Sequence, residues 1–486
     1  MLKRKFFYWL TISNFLYIVI LIILATIAIN YAFGDSGIIK KAEEARDMTA
    51  NSTELERENM NQLVEDLESM MPFEPIPTPE PPTGGTKMTD MTNGVIEIKW
   101  LEGTSYNVSE EPNAPVTKSI SNGKMELVKF DSSSKTWVPG KEYSYVAGTG
   151  SNDNNSSKWA NAKVTINNVD SYFVWIPRYA YRIIYFDSAD SKKAYQEGTL
   201  TEKDAIENKK IIGYSDSRGI VDAQGRKIDG VASTTKTMVS KDYFMVHPAF
   251  INDVDAGGWT SELPGIWVGK YETSGTTTQL KVQPGVQSLR SQTIGTLYTA
   301  GLGYADDLQS HMLKNSEWGA VAYLTESKYG RNGTEITQNK SSSYMTGGGS
   351  GTAYITKVSQ SSTGNVYGIY DLSGGAHEYV AGYYNGSTSS YLTNNGGTFA
   401  SQGGSSTKYA TAYTGTSASS AYIYGDATYE TSGWHSDDAE FVSSDSPFFR
   451  RGGYFFYAST VAGVFYYNSF DGSRFEAISF RLALVV

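Results

Sequence analysis

The segment 448–480 has the composition of a binding surface. It holds 12 aromatic residues in 33 positions, about 36%, whereas aromatic residues make up 13% of the whole chain. Serine, asparagine, aspartate and arginine stand between the aromatics, an arrangement typical of paratopes, in which rigid rings supply contact area and small polar groups adaptable hydrogen bonds. We therefore predict ligand binding by Tyr454, Phe455, Phe456, Tyr457, Ser459, Thr460, Tyr466, Tyr467, Asn468, Ser469, Phe470, Asp471, Ser473, Arg474 and Phe475.

A structural role is the alternative explanation for the same aromatic residues. Strict alternation is absent, and glycines at 452, 453, 463 and 472 break the segment into short pieces. A core this dense is expected to be rich in Val, Leu and Ile, which are scarce here. We expect Phe449, Val464, Phe465 and Phe480 to pack in the core and the exposed subset of the others to bind ligand.

The chain offers little for catalysis or metal binding. It has no cysteine, which excludes thiolate catalysis and Zn–Cys sites. Its four histidines lie too far apart in the chain for a helical His-x-x-x-His pair. For Asp371, His377 and Glu378, a hydrogen-bonded core role is favoured over a metal or acid–base site. We predict no enzyme activity, no cofactor and no bound metal.

Five segments resemble, in family order, the formylglycine-generating-enzyme/sulfatase-modifying-factor family. They are 172–179 (YFVWIPRY), 265–272 (GIWVGKYE), 312–324 (MLKNSEWGAVAYL), 367–380 (YGIYDLSGGAHEYV) and 479–482 (SFRL). The resemblance implies an α+β, C-type-lectin-type fold with small sheets, little helix and long loops. The enzymes of this family are oxidases that use active-site cysteines, which this chain lacks, so their activity does not carry over.

The window 448–475 also resembles the variable region of proteins that are targets of diversity-generating retroelements. In those proteins, adenine-directed mutagenesis rewrites a C-terminal lectin-like segment, chiefly at AAY codons. Such codons cannot become Lys, Glu, Gln, Met or Trp, and none of these five residues occurs from 448 to 475. The resemblance implies an invariant frame of 451–453, 462–464, Gly472 and 479–481.

Upstream, residues 89–135 contain two runs that predict β-strands. Residues 95–100 and 125–130 alternate apolar and polar side chains. The pattern is compatible with a small separate module and with the edge of the main domain. We divide this part of the chain into a small β-rich segment, 89–135, and a lectin-like domain, 136–486, with its variable segment 448–480.

The N-terminus predicts a transmembrane anchor at 1–34. Lys3, Arg4 and Lys5 precede an apolar run, 6–33, that is long enough to span a bilayer as a helix. The positive-inside rule places residues 35–486 outside the cell. A cleaved signal peptide is the alternative, but no small-x-small cleavage site stands out. Residues 10–12, 28–30 and 34–42 resemble the N-terminal helix of clostridial pilin-like proteins, although Trp9 and Asn14 replace the residues of that family's processing motif.

A helical stalk and a spacer are predicted between the anchor and the main domain. Residues 35–70 carry apolar side chains at Met60, Leu63, Leu67 and Met70, a helical spacing that fits a solvated amphipathic helix or a self-associating stalk. The Pro-rich segment 71–88 predicts an extended linker.

These observations predict a membrane-anchored adhesin or receptor on a bacterial surface. The partner would be a protein or glycan on another cell or phage, and the membrane would be bound through the N-terminal helix. A pilin-like structural subunit with a lectin-fold tip domain is the alternative. The net charge of -10 argues against nucleic acid as a partner.

Overall fold

The computed structural model describes residues 91–148, 157–223, 225–226, 243–399, 404–457 and 461–486. The predicted anchor 1–34, stalk 35–70 and linker 71–88 lie outside these residues, and so do Ser459 and Thr460 of the predicted site. Within the described ranges, no helix has both the length and the apolar character needed to cross a membrane.

A six-stranded antiparallel sheet contains the first predicted strand. Its strands are β1 (Gly94–Leu101), β2 (Val108–Ser109), β7 (Tyr179–Phe186), β8 (Ile211–Asp216), β9 (Gly219–Asp222) and β10 (Met245–Val246). Their order is β2-β1-β7-β8-β9, with β10 also paired to β7. Along β1, Ile96, Ile98 and Trp100 are buried and the residues between them are not fully buried, the period of two that the sequence predicts.

A seven-stranded antiparallel sheet separates the two largest hydrophobic cores. Its order is β14-β20-β11-β6-β5-β3-β4. On β6, Val174 and Ile176 enter one core while Phe173 and Trp175 enter the other, because successive side chains of a strand point to opposite faces. The strands are β3 (Gly123–Asp131), β4 (Thr136–Pro139), β5 (Asn161–Ile166), β6 (Val169–Pro177), β11 (Gly265–Gly269), β14 (His311–Met312) and β20 (Leu482–Leu484).

A five-stranded mixed sheet and a short hairpin complete the strands of the described residues. The order in the mixed sheet is β16-β15-β17-β18, with β19 also paired to β15. Its strands are β15 (His377–Tyr384), β16 (Thr411–Tyr413), β17 (Phe448–Arg451), β18 (Tyr467–Phe470) and β19 (Ile478–Phe480). The hairpin consists of β12 (Ser274–Thr276) and β13 (Gln279–Lys281).

The strands of segment 89–135 belong to the two large sheets. Strand β1 pairs with β7 over seven residue positions, from Gly94 to Trp100. Strand β3 pairs with β5, with Met125 opposite Val164. Of the strands in this segment, β1 and β3 are interior and β2 is an edge strand, so the segment is part of both large sheets and does not form a separate module.

Helices are few, and the central one is buried on all sides. The described helices are α1 (Ala189–Gln196), α2 (Glu202–Glu207), α3 (Ile294–Leu302), α4 (Asn315–Glu326), α5 (Ala353–Thr356), α6 (Ser390–Gly396) and α7 (Ala418–Ala421). Helix α4, which contains most of the family-like segment 312–324, has every residue buried. Its charged Glu317 is compensated by the Lys314 amide, 2.9 Å away, and by His311 Nε2 at 3.0 Å. The coarse prediction of an α+β fold with small sheets is confirmed.

Candidate ligand-binding face

Strands β17 and β18 frame the segment that the sequence singles out. They run antiparallel, with Phe448 opposite Phe470 and Arg451 opposite Tyr467. Gly452 and Gly453 follow β17 with φ of 79° and 69°, values that L-residues with a side chain rarely adopt. These two glycines direct the chain away from the sheet and into the turn 454–457.

The turn 454–457 is held by backbone contacts. The Phe455 amide donates to the Gly375 carbonyl at 3.0 Å. Gln338 Nε2 donates to the carbonyls of Tyr454 and Tyr457 at 3.0 and 3.1 Å. Because these hydrogen bonds fix the backbone of the turn, Phe456 can be presented to solvent at little conformational cost on binding.

Exposure divides the described residues of the predicted site into three groups. Phe456 is 74% exposed and Phe475 is 41% exposed, whereas Tyr466 and Tyr467 are at 0% and 2%. Arg474 is also exposed. The half-exposed residues are Tyr454, Phe455, Tyr457, Phe470, Asp471 and Ser473, and the other buried ones are Asn468 and Ser469.

The buried group is held by an acidic loop that the sequence does not single out. Glu440 accepts hydrogen bonds from Asn468 Nδ2 and Ser469 Oγ, both at 2.9 Å. Asn468 Nδ2 also donates to Asp438 at 3.1 Å. These side chains fasten β18 to the domain, and their polar groups are largely satisfied from within the protein.

His377 lies at the centre of a ring of tyrosines. Its imidazole is 5.0 Å from the ring centre of Tyr454, 5.5 Å from Tyr457 and 5.4 Å from Tyr466. Burial, together with the charge of Arg450, holds the pKa of His377 well below its ordinary value, so the imidazole is neutral. Its Nδ1 has no hydrogen-bond partner among the described residues.

The aromatic surface continues onto residues outside the predicted segment. The Tyr344 ring meets Phe455 edge-on at 5.0 Å, and Arg290 Cζ lies 4.0 Å from the centre of the Tyr344 ring. Arg290 Nη1 in turn donates to the carbonyl of Glu476. We call the surface formed by Arg290, Tyr344, Tyr454, Phe455, Phe456, Tyr457, Phe470, Arg474 and Phe475 the aromatic face.

Sequence reasoning missed Arg290 and Tyr344. Both lie more than 100 positions before Phe455, in polar loop sequence that carries no aromatic cluster. The one local signal is conformational, since Tyr344 has a φ of 53°, a region that is uncommon for a bulky residue and costs about 1–3 kcal/mol. That strain is visible only in the folded backbone.

Phe470 of the aromatic face packs against both Phe475 and Arg450. The rings of Phe470 and Phe475 are 5.9 Å apart, and Arg450 Cζ lies 4.7 Å from the Phe470 ring centre. The Asp471 carboxylate accepts from the Ser473 amide at 2.8 Å, which closes a tight local turn. Two guanidinium–aromatic contacts, Arg290 with Tyr344 and Arg450 with Phe470, are therefore part of this surface or border it.

A polar groove adjoins the face at Asp471. It has a volume of about 700 Å³ and is lined by residues that include Thr293, Thr296 and Asn395, with no charged side chain. Asn395 Nδ2 donates to the Asp471 carbonyl at 2.9 Å. Hydroxyl and amide groups at such a position can hydrogen-bond a neutral polar ligand.

The acidic residues beneath the face are committed to the core. Asp371 accepts from Asn339 Nδ2 at 2.9 Å and from the Gly347 amide at 2.8 Å, and Glu378 pairs with Arg481. Burial raises the pKa of both Asp371 and Glu378. Among the residues that the structure describes, no group of three His, Asp or Glu side chains is placed to hold a metal ion.

The chain was also compared with known proteins. No protein-family model matches it, and no curated protein matches it either. The geometry of the face is therefore the basis for the functional conclusion.

Proposed function

We propose that this protein is a membrane-anchored binding protein of a bacterial surface, an adhesin or receptor that captures a ligand with the aromatic face. In this proposal the described domain has a C-type-lectin-type fold, and residues 1–34 anchor it so that the domain faces outward. The ligand is a molecule on another cell or on a phage.

The exposure of Phe456 carries the proposal. At 74% it is the most exposed of the large apolar side chains in the described part of the chain. It does not stand alone, because Tyr454 and Phe455 lie within 6.2 Å of its ring centre. Clustered exposed aromatics that are rimmed by polar groups mark interaction sites, and burying them on binding would contribute most of the affinity.

The positions of the family-like segments support the lectin-type fold. Segment 172–179 covers the end of β6 and the start of β7, and 265–272 contains β11. Segment 312–324 contains most of α4, and 367–380 enters β15. Each motif that carries the resemblance therefore falls on an element of one of the sheets or on the central helix.

Replacing the exposed aromatics tests the proposal. We expect the triple variant Phe455→Ser, Phe456→Ser and Phe475→Ser of the full chain to lose capture of displayed random dodecapeptides and of glycans on an array. The loss should be at least about tenfold, because each buried aromatic contributes more than 1 kcal/mol to a binding hot spot.

A matched control uses exposed apolar residues elsewhere. Val108, Ile206 and Tyr243 are 48%, 46% and 41% exposed, so their replacement by Ser changes surface apolarity without touching the face. Circular dichroism and thermal unfolding would show that both triple variants are folded. Equal ligand capture by the two variants and the original chain would contradict the proposal.

A further inference from the structure

The arginines of the aromatic face lack internal counter-charges. Of the ten arginines among the described residues, five have a carboxylate within 4.0 Å: Arg178, Arg182, Arg218, Arg226 and Arg481. Within the described ranges, Arg290, Arg450 and Arg474 have no such ion pair. Arg290 and Arg474 belong to the aromatic face, and Arg450 lies against its Phe470 ring, so the face offers guanidinium groups without an ion-pair partner in a chain whose net charge is -10.

Arg290 is the best positioned of these three. Its guanidinium lies over the Tyr344 ring at 4.0 Å, and its one hydrogen bond within the described structure goes to the Glu476 carbonyl. A guanidinium has five N–H donors in a fixed fork, so donors remain for a ligand. The stacked ring and the backbone contact hold the side chain in place before any ligand arrives.

The other two arginines are less suitable. Arg450 Nη2 donates to Asn468 Oδ1 at 2.8 Å, and Asn468 in turn donates hydrogen bonds to Asp438 and Glu440. One residue therefore connects Arg450 to two acidic side chains of the same protein. Arg474 is exposed and has no ring behind it in the described structure. Segment 471–476, which contacts Arg290 through the Glu476 carbonyl, contains two acidic residues, Asp471 and Glu476. Neither forms an ion pair with a described residue.

We propose that Arg290 and Tyr344 form a charged edge of the aromatic face that binds a carboxylate of an acidic peptide segment in a protein ligand. Phe455, whose ring is 5.0 Å from Tyr344, and Phe456 contact the apolar side chains of the same segment. A cation and aromatic rings this close together suit a ligand that carries an acidic group beside apolar groups, as an acidic peptide segment with apolar side chains does.

This edge lies outside segment 448–480 and is therefore the same whichever residues occupy that segment. The edge would hold different ligands in one orientation, while the residues of 454–457 and 470–475 determine which ligands bind. The inference rests on the proposed binding function and adds the chemical class of the partner.

The test selects displayed random dodecapeptides on the full chain and sequences the enriched binders. We expect enrichment of Asp and Glu beside apolar residues, and an affinity that falls as salt is raised. Arg290→Gln should weaken the tightest acidic peptide by about tenfold or more, because it removes charge-assisted hydrogen bonds. Arg290→Lys keeps the charge but loses the planar fork. Its peptide affinity should lie between that of the original protein and that of Arg290→Gln.

Two controls separate this outcome from a folding defect. Arg218→Gln removes an arginine that is paired with Asp216 away from the face and should leave peptide affinity unchanged. Glu→Gln and Asp→Asn versions of the selected peptide, measured on the unaltered protein, should lose the same affinity without any change to the protein.

Each alternative result has a definite meaning. Neutral or basic binders that the triple aromatic variant fails to retain would overturn the acidic-peptide inference and leave the proposed function standing. Binding of sialylated or sulfated glycans in place of peptides would show that the charged edge recognises anionic glycans, and it would overturn the peptide assignment. Acidic peptides that bind Arg290→Gln as tightly as the original protein would overturn the role of Arg290. If the original protein enriches no peptide more than the triple aromatic variant does, both proposals are contradicted.

Discussion

At the scale of single residues, one buried carboxylate is held at an energetic cost. Asp437 is 3% exposed; its Oδ2 accepts from the Phe465 amide at 2.9 Å, and its Oδ1 has no partner among the described residues. Burial raises the pKa of Asp437 to about 7, although the neighbouring His435 opposes the rise. The ionised carboxylate therefore destabilises the folded state.

The first prediction concerns the pH dependence of stability at Asp437. Between its ordinary pKa of 3.8 and about 7, the folded state keeps a proton that the unfolded state releases, so this group lowers stability as pH rises. Asp437→Asn should raise the free energy of unfolding by roughly 1–3 kcal/mol above about pH 7, and the gain should shrink as pH falls toward 4.

Urea unfolding across this pH range measures the effect. The control is Asp445→Asn, because Asp445 is exposed on the same part of the chain. An Asp437→Asn variant that follows the same pH profile as the original protein would contradict the prediction.

At the level of elements, β17 and β18 combine a buried frame with an exposed rim. Phe448 and Phe449 are adjacent on β17 but enter different cores, and both are at 0% exposure. The four core positions expected from the sequence, Phe449, Val464, Phe465 and Phe480, are all buried. Substitution by Asp, Ser or Arg at such positions would cost several kcal/mol, whereas the turn 454–457 can accept it.

This contrast predicts a pattern in the encoding DNA. Downstream of the gene we expect a near-copy of the segment that encodes 448–480, beside a reverse-transcriptase gene, with mismatches confined to adenines of the copy. The altered codons should fall in 454–457, 470–471 and 473–475 and spare Phe448, Phe449, Arg451, Phe465 and Gly472. Sequencing of the locus decides this: absence of the copy removes the diversification hypothesis, and mismatches concentrated in the buried codons would contradict the structural rule.

The whole domain depends on the strands that precede residue 136. All described residues belong to one compact unit, Gly84–Val486, in which β1 pairs with β7 and β3 with β5. Trp100 of β1 packs against Tyr145, Tyr179 and Tyr329 at ring distances between 4.7 and 6.4 Å. Removing these strands would expose the edges and apolar faces of both large sheets.

We therefore expect fragment 84–486 to unfold in one cooperative transition and fragment 136–486 to fail to fold. The two large cores share the seven-stranded sheet, so neither can melt alone. Calorimetry and limited proteolysis of the two purified fragments measure this. A stable, cooperative 136–486 fragment would show that 89–135 is dispensable, and two separate transitions for 84–486 would show that the cores are independent.

Much of the local structure follows from patterns that are short in sequence. Alternation in 95–100 and 125–130 predicts strands, and both runs lie in strands, β1 and β3. The aromatic density of 448–480 predicts an unusual segment, and its turn carries the most exposed phenylalanine of the described residues. These features depend on neighbouring residues, whose periodicity and composition are visible without the fold.

Sequence patterns therefore determined strands β1 and β3 and the location of the aromatic segment, and the family resemblance pointed to the α+β class, while the tertiary structure decided which residues of the segment face outward. Tyr466 and Tyr467 are tyrosines like Tyr454 and Tyr457, yet both are buried: Tyr466 packs against His377 and Tyr457, and Tyr467 lies in β18, which pairs with β17 and is held through Asn468 and Ser469 by Glu440. Arg290 and Tyr344 join the face through contacts with Glu476 and Phe455. Burial and long-range contact depend on how distant segments pack, and no local pattern encodes that packing.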